Sequence, residues 1–503
     1  MAKYFNPVIR GFNPDPSICR VGKDFYIVTS TFEFFPGVPI YHSRNLADWE
    51  LIGHCLTRAS QLPLAGCRAS GGIYAPTLRH HGGMFYMTTT NVSGGGNFIV
   101  HAEDIGGPWS EPRWVRQGGI DPSLTFDDDG VCYFQSTTNM GGRPGIYGCA
   151  VDPLTGGQLS DSVLLTPGWQ GRHPEAPHMY KIGGMYYLMI AEGGTSYGHM
   201  VTMFRGAAPY GPFEPCPHNP ILTHRDRNAQ DSPIQCTGHA DITQDQNGGW
   251  WMVALGVRQL PGNCHHNLGR ETFLAPLRWE DDGAGAGWPV VGDGGTLALE
   301  GEAPLPGGEV KKRGVRFADD FGGGAFHPEY TFIRNPDMSR YSFTPGGLRM
   351  AGGGIPLCEE GVSPVFIGVR QKEHKTYASA RVSVGALSKA GIAAYYTNEH
   401  HYSAYIRHDG EAFRACLGKR VYDMDVTVSV PVPCGEALIE IEADTERYAF
   451  YVTPRGGERM ALGTGAIQGL CTEVTRFMTF TGVFLGVFCE YGEATVRRLE
   501  IEY

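Results

Sequence analysis

The 503-residue sequence has no run of about twenty apolar residues of the kind a membrane-spanning helix needs. Its first residues, Met1-Ala2-Lys3-Tyr4-Phe5-Asn6-Pro7, lack the apolar centre of a secretory leader, which makes the cytoplasm the expected compartment. No CxxC occurs among the 13 cysteines, which are odd in number and scattered from Cys19 to Cys489. Neither a disulfide framework nor a zinc cluster is indicated, and buried thiols in a reducing compartment are expected. Long basic runs are missing too. The longest is Lys311-Lys312-Arg313 in a chain of net charge −11, which argues against nucleic acid or an anionic membrane as partner and favours a neutral ligand.

Glycine, proline and aromatics are plentiful: 71 Gly, 34 Pro and 11% Phe, Trp and Tyr. The hydrophobic fraction is ordinary and no tract is repetitive, so turn-rich β structure is expected rather than disorder. The length exceeds what one core usually serves, and two or three domains are expected.

One unit recurs five times in the first half: a glycine-containing turn followed by an aromatic-rich strand. Gly22-Lys23-Asp24 leads into Phe25-Tyr26-Ile27-Val28, and Gly82-Gly83 into Met84-Phe85-Tyr86-Met87. Asp129-Gly130, Gly183-Gly184 and Gly248-Gly249 lead into Val131-Cys132-Tyr133-Phe134, Met185-Tyr186-Tyr187-Leu188 and Trp250-Trp251-Met252-Val253. The spacing, about 50 to 65 residues, is that of propeller blades. Small antiparallel sheets of this kind cannot bury both faces alone, so five must close radially into a ring. Most units end near an aromatic beside an acid, as in Asp48-Trp49-Glu50, Trp109-Ser110-Glu111, Phe213-Glu214 and Trp279-Glu280, which are expected in outer strands.

The innermost strand of each blade lines the central channel, so residues just upstream of the turns should converge there. About seven to nine residues before each turn glycine stand Asp15, Tyr74, Asp121, Glu175 and His239. Structural positions of this kind favour small or apolar residues, because ionised side chains are rarely buried without partners. Three acids at equivalent positions therefore point to chemistry. Taken singly, Asp15 and Asp121 could be turn-formers before proline; their equivalence across blades weakens that reading. The histidine pairs His80-His81 and His265-His266 are expected in solvated loops rather than at a metal.

Cleavage of a glycosidic bond needs a proton donor at the leaving oxygen and a carboxylate on the other side of the anomeric carbon. A third acid nearby helps keep the donor protonated, because like charges raise a neighbour's pKa. At these residues the sequence also resembles glycoside hydrolase family 43, especially its two-domain β-xylosidases, over nearly the whole chain. The resemblance is carried by Gly11-Phe12-Asn13-Pro14-Asp15-Pro16-Ser17-Ile18, Thr31-Phe32-Glu33-Phe34-Phe35-Pro36-Gly37-Val38 and Gly71-Gly72-Ile73-Tyr74-Ala75-Pro76. Gly238-His239-Ala240 and Leu268-Gly269-Arg270-Glu271-Thr272 add to it.

The resemblance implies that Asp15 is the general base, Glu175 the general acid and Asp121 the residue that orients the sugar and tunes the acid. It further implies that Arg270 binds hydroxyls of the terminal sugar, that Phe32 and Tyr74 wall the same subsite, and that His239 lies under the floor. Tyr74 departs from the pattern, since close relatives often carry Trp there. No cofactor is required for the chemistry, although the resemblance implies that His239 can help hold a hydrated Ca2+ in the propeller channel.

The expected architecture is all-β: a five-bladed propeller over residues 1–290, a Gly- and Pro-rich linker over 291–315, and a sandwich over 316–503. Its short β-rich runs include Thr376 to Val384, Tyr402 to Ile406, Ala437 to Ile441, Tyr448 to Val452 and Val496 to Ile501. Phe321, Phe332-Ile333-Arg334-Asn335-Pro336 and Phe480-Thr481-Gly482-Val483-Phe484 resemble the family's jelly-roll, concanavalin-like sandwich, which sends a loop towards the active site. The implied function is inverting, exo-acting release of terminal D-xylose from xylo-oligosaccharides, with side α-L-arabinofuranosidase activity. Three alternatives stay open: mainly an arabinofuranosidase, a retaining fructan-cleaving propeller enzyme, and a non-catalytic sugar-binding propeller. Self-association into a homo-oligomer through the sandwich is compatible with the sequence.

Overall fold

The computed structural model describes residues 1–170, 172–227, 232–262 and 264–503. Among them there is no α-helix, only three short 3₁₀ turns, and no helix long and apolar enough to cross a membrane. The first half forms five antiparallel sheets whose strands follow chain order outward. Their innermost strands are Ser17–Val21, Thr77–His81, Ile120–Phe126, Glu175–Ile182 and Ile234–Gln244. Each glycine turn read from the sequence joins an innermost strand to the next, and Gly22, Gly82, Gly83, Gly130, Gly183, Gly184 and Gly248 adopt positive φ there. That is the backbone such tight turns require.

The ring closes through one apolar cluster at each of the five blade-to-blade seams. Val28 and Ile40 of blade one meet Leu78 and Phe98 of blade two. Tyr86 and Ile99 meet Leu124 and Phe134 of blade three, and Ile146 and Leu165 meet Met179 and Leu188 of blade four. Tyr187 and Met203 meet Ile242 and Phe273 of blade five, and Trp251 and Leu274 return to Ile18, Phe25 and Tyr41 of blade one. The aromatic in each second strand is thus the residue that fills a seam. At the core of the ring the buried Asp241 carboxylate accepts from Ser17 Oγ at 2.7 Å, Arg79 Nη1 at 2.9 Å and Tyr180 Oη at 2.5 Å. One side chain of blade five therefore ties in blades one, two and four.

The aromatic-acid pairs follow the expected pattern only in part. Glu50 opens the outer strand Glu50–Leu56 and Glu214 opens Glu214–Pro215, but Trp279-Glu280 ends the third strand of blade five, with Trp288–Val291 outside it. The stretch expected as a linker contains the strand Glu300–Ala303, which pairs with Ala2–Phe5. His80 and His81 end the innermost strand of blade two, against Phe85 and Phe126, rather than lying in a loop. His266, by contrast, is buried, its ring 2.7 Å from Glu473.

The second half is a sandwich of an eight-stranded and a six-stranded antiparallel sheet. Their facing sides share one core that includes Ala380, Ile439 and Phe450 from the first sheet and Ile392, Ile406 and Val487 from the second. Sandwich and propeller are joined by a strand pair, Phe34–Phe35 with Phe332–Ile333. A shared aromatic cluster of Phe12, Phe32, Phe34, Phe366, Tyr395 and Phe484 buries the junction. Arg370 Nε donates to the Phe12 carbonyl there at 2.7 Å.

Candidate active site

The strand starts of the blades open onto one cavity of about 360 Å³, lined by Asp15, Phe32, Tyr74, Asp121, Glu175, His239 and Arg270. All seven residues singled out in the sequence are brought together. The pleat alone does not aim them. In blade three the ladder slips between Ile120 and Ser123, in blade four between Glu175 and His178, and in blade five on both sides of Gly238. These bulges bend the strand and turn a side chain that would follow the sheet face into the channel mouth. Asp15, Asp121 and His239 hold φ values of 56°, 53° and 39°, and Ala176, next to Glu175, holds 54°. Left-handed backbone is costly for residues with a Cβ and gathers where surrounding structure fixes a functional side chain.

Asp15 is buried. Ser30 Oγ donates to its Oδ2 at 2.6 Å and Arg270 Nη1 to its Oδ1 at 3.0 Å. His239 Nδ1 stands 3.4 Å from the same Oδ1. Burial alone would raise the pKa of this carboxyl, but Arg270, His239 and the Ser30 hydrogen bond outweigh it and hold Asp15 below the ordinary carboxylate value. Asp121 and Glu175 go the other way. Burial raises Asp121 well above its usual range, with the charges of Glu175 and Asp15 adding to it. Burial and the Asp15 charge push Glu175 up to about 7. The two titrate as a pair, so the proton belongs to Asp121 and Glu175 jointly. One carboxylate kept ionised beside carboxyls kept protonated is the division of roles that acid–base chemistry at neutral pH needs.

Arg270 is held by Thr195 Oγ1 at 3.0 Å and lies against the rings of Phe32 and Phe480, 5.6 and 5.3 Å from their centroids. Its neighbour Glu271 pairs with Arg258 at 2.7 Å instead, so Arg270 is not taken up in a surface ion pair. Phe32, Tyr74 and Phe480 form an aromatic wall with centroids 5.2 to 5.9 Å apart. Phe480 and Met478 come from the sandwich and close one side of the cavity.

Sequence reasoning did not single out His173, Thr195, Ser196 and His199, which also line the cavity. A signal was present. Glu175 pairs with Ala191, so the Gly193-Gly194-Thr195-Ser196 loop that follows the second strand must lie beside the acid. His199 Nδ1 lies 3.1 Å from the Cys236 carbonyl, and burial lowers its pKa to about 4, so the ring is neutral.

Among the described residues no three of His, Cys, Asp and Glu gather as a metal cage would require. His239 instead faces Asp15, whose Oδ1 already receives the Arg270 guanidinium.

The sequence pattern described as Glycosyl hydrolases family 43 matches residues 4–285, and the one described as Beta xylosidase C-terminal Concanavalin A-like domain matches residues 318–498. The chain belongs to glycoside hydrolase family 43. Among family 43 relatives, a non-reducing end α-L-arabinofuranosidase of Bacteroides ovatus is 42% identical over 511 residues, covering 99% of this chain and 93% of that protein. A xylosidase/arabinosidase of Butyrivibrio fibrisolvens is 37% identical over 98% of this chain and 99% of that protein. The solved structure of Bacteroides ovatus Xyloglucan PUL GH43B superposes with a TM-score of 0.91 at 40% identity, covering 99% of both chains. That of a xylan β-1,4-xylosidase from Bacillus halodurans also reaches 0.91, at 30% identity over 99% of this chain and all of the other.

Proposed function

We propose that this family 43 hydrolase is an exo-acting, inverting β-D-xylosidase that releases terminal D-xylose from the non-reducing end of xylo-oligosaccharides, with side α-L-arabinofuranosidase activity. The observation that carries the reading is the set of three carboxyls from three blades around one sugar-sized cavity, with Asp15 shifted down and Asp121 and Glu175 shifted up. Glu175 donates its proton to the leaving oxygen as the glycosidic C–O bond breaks. Asp15 takes a proton from water as that water attacks the anomeric carbon from the opposite face. Asp121, kept protonated by burial and by the charges of Glu175 and Asp15, binds and orients the sugar. Arg270, Phe32 and Tyr74 hold the terminal residue, and Phe480 supports exo action by closing the cavity on the sandwich side. No step passes through a metal or cofactor.

The first-formed anomer, followed by NMR during hydrolysis, tests the mechanism: a product of the substrate's own configuration would rule out inversion. A second reading, mainly arabinofuranosidase, is favoured by the name of the 42% identical relative. Comparing kcat/KM on aryl β-D-xyloside and aryl α-L-arabinofuranoside decides between them. The cytoplasm is the proposed place of action, a reading supported by thirteen free cysteines, ten of them buried.

A further inference from the structure

Ser70 does not line the cavity, yet its polar groups reach three partners around it. Its N–H donates to Glu33 Oε2 at 2.9 Å, its carbonyl accepts from the Tyr74 hydroxyl at 3.2 Å, and its Oγ accepts from the Phe480 N–H at 2.9 Å. Tyr74 and Phe480 are two rings of the aromatic wall, one from the propeller and one from the sandwich. Ser70 does this with φ at 58°, a left-handed conformation that its β-carbon disfavours and its surroundings must hold.

Glu33 is that surrounding. It directly follows Phe32, the third ring of the wall, and is fully buried, its Oε1 without a hydrogen-bond partner. The charged and titratable groups that face it are Arg334, from the sandwich, and Cys67, Tyr74 and Tyr395. Arg334 is committed to backbone carbonyls, Nε to Cys67 at 2.6 Å and Nη1 to Val362 at 2.8 Å. The Glu33 carboxyl therefore has one evident structural task, the Ser70 N–H.

We propose that Glu33 and Ser70 are positioning residues of the sugar subsite: Glu33 fixes Ser70, and Ser70 pins Tyr74 and Phe480 so that the wall stays assembled across the domain junction. This rests on the reading of the cavity as the pentose site. Burial pushes Glu33 up to about 7, so near neutral pH the acid changes charge in an apolar junction. A carboxyl raised in the folded state contributes stability that is complete below the unfolded value, 4.5, and lost as pH rises through about 7. The wall should loosen over that window.

The full-length protein with Glu33→Ala, Glu33→Gln and Ser70→Ala tests the proposal by kcat, KM and D-xylose affinity from calorimetry. Loss of one buried hydrogen bond predicts about tenfold weaker D-xylose binding and higher KM in Glu33→Ala and Ser70→Ala, with kcat within about twofold. Glu33→Gln keeps an acceptor for Ser70 and should restore both constants while removing the rise in KM above pH 7. Unchanged D-xylose affinity in Glu33→Ala and Ser70→Ala, or a Gln variant no better than the Ala variant, overturns the proposal. If Glu33→Ala does not fold, Ser70→Ala and the pH dependence in Glu33→Gln decide. Calorimetry needs no turnover, so a wild type that binds D-xylose but releases no pentose counts against the hydrolase reading and not against this one.

Discussion

Arg270 donates from Nη1 to Oδ1 of Asp15 at 3.0 Å, so the carboxylate proposed as general base carries its own counter-charge. The same acid, through its negative charge, helps hold the proton on Glu175. Base and acid are therefore set by one electrostatic arrangement, and the pH profile should show it. As pH rises through about 7, Glu175 loses the proton it must donate, and kcat/KM should fall. On the acid side, Asp15 lies below the ordinary carboxylate value, so activity should persist until pH drops beneath that range. A kcat/KM profile on an aryl β-xyloside checks both limbs; activity still climbing at pH 8 would contradict the assignment.

Replacing Arg270 by Ala removes the largest of the influences that lower Asp15 and leaves burial to raise it. The acidic limb should move to higher pH, whatever the loss in overall rate. Only the position of the limb, not the depth of the loss, reports on this pair.

Glu175→Ala should depend on the leaving group. General acid catalysis is worth roughly 10²- to 10⁴-fold, so turnover of xylobiose should fall by that order. A dinitrophenyl xyloside, whose leaving group needs no proton, should lose far less. Equal losses on both substrates would remove Glu175 from the acid role.

Asp241→Ala should act on stability. It leaves the Arg79 guanidinium without its carboxylate and frees Ser17 and Tyr180 as well. Breaking a buried ion pair from one side costs about 3–5 kcal/mol, which in a domain of this size lowers Tm by roughly 10 °C. The Asp241 carboxyl is held down to about 2, against its burial, chiefly by Arg79. Its contribution is therefore present above the unfolded value, 3.8, and lost as pH falls through about 2; Asp241→Asn should lack that acid-sensitive part. Thermal melts across this range provide the measurement.

The acids were legible because a fivefold repeat supplies its own alignment: a residue before one glycine turn can be compared with its counterparts in the other blades. Asp15, Asp121 and Glu175 stand out by that comparison alone. Thr195 and His199 did not, since they follow a second strand, where the blades share no common residue and only the pairing of Glu175 with Ala191 shows what lies adjacent. The strand Glu300–Ala303 was hidden for a different reason. Its partner, Ala2–Phe5, is about 300 residues away, and nothing local in a Gly- and Pro-rich stretch announces so distant a pairing. His80 and His81 are solvent-accessible as expected but end a strand instead of lying in a loop, each ring packed against a phenylalanine from elsewhere in the chain.

The paired edges Phe34–Phe35 and Phe332–Ile333 bear on how this enzyme can be re-engineered. A chimera that exchanges the sandwich for that of a relative would also exchange Phe480, and with it one side of the cavity. Grafting the C-terminal half thus reshapes the cavity, and excising it would leave Arg270 exposed on the face that Phe480 now covers.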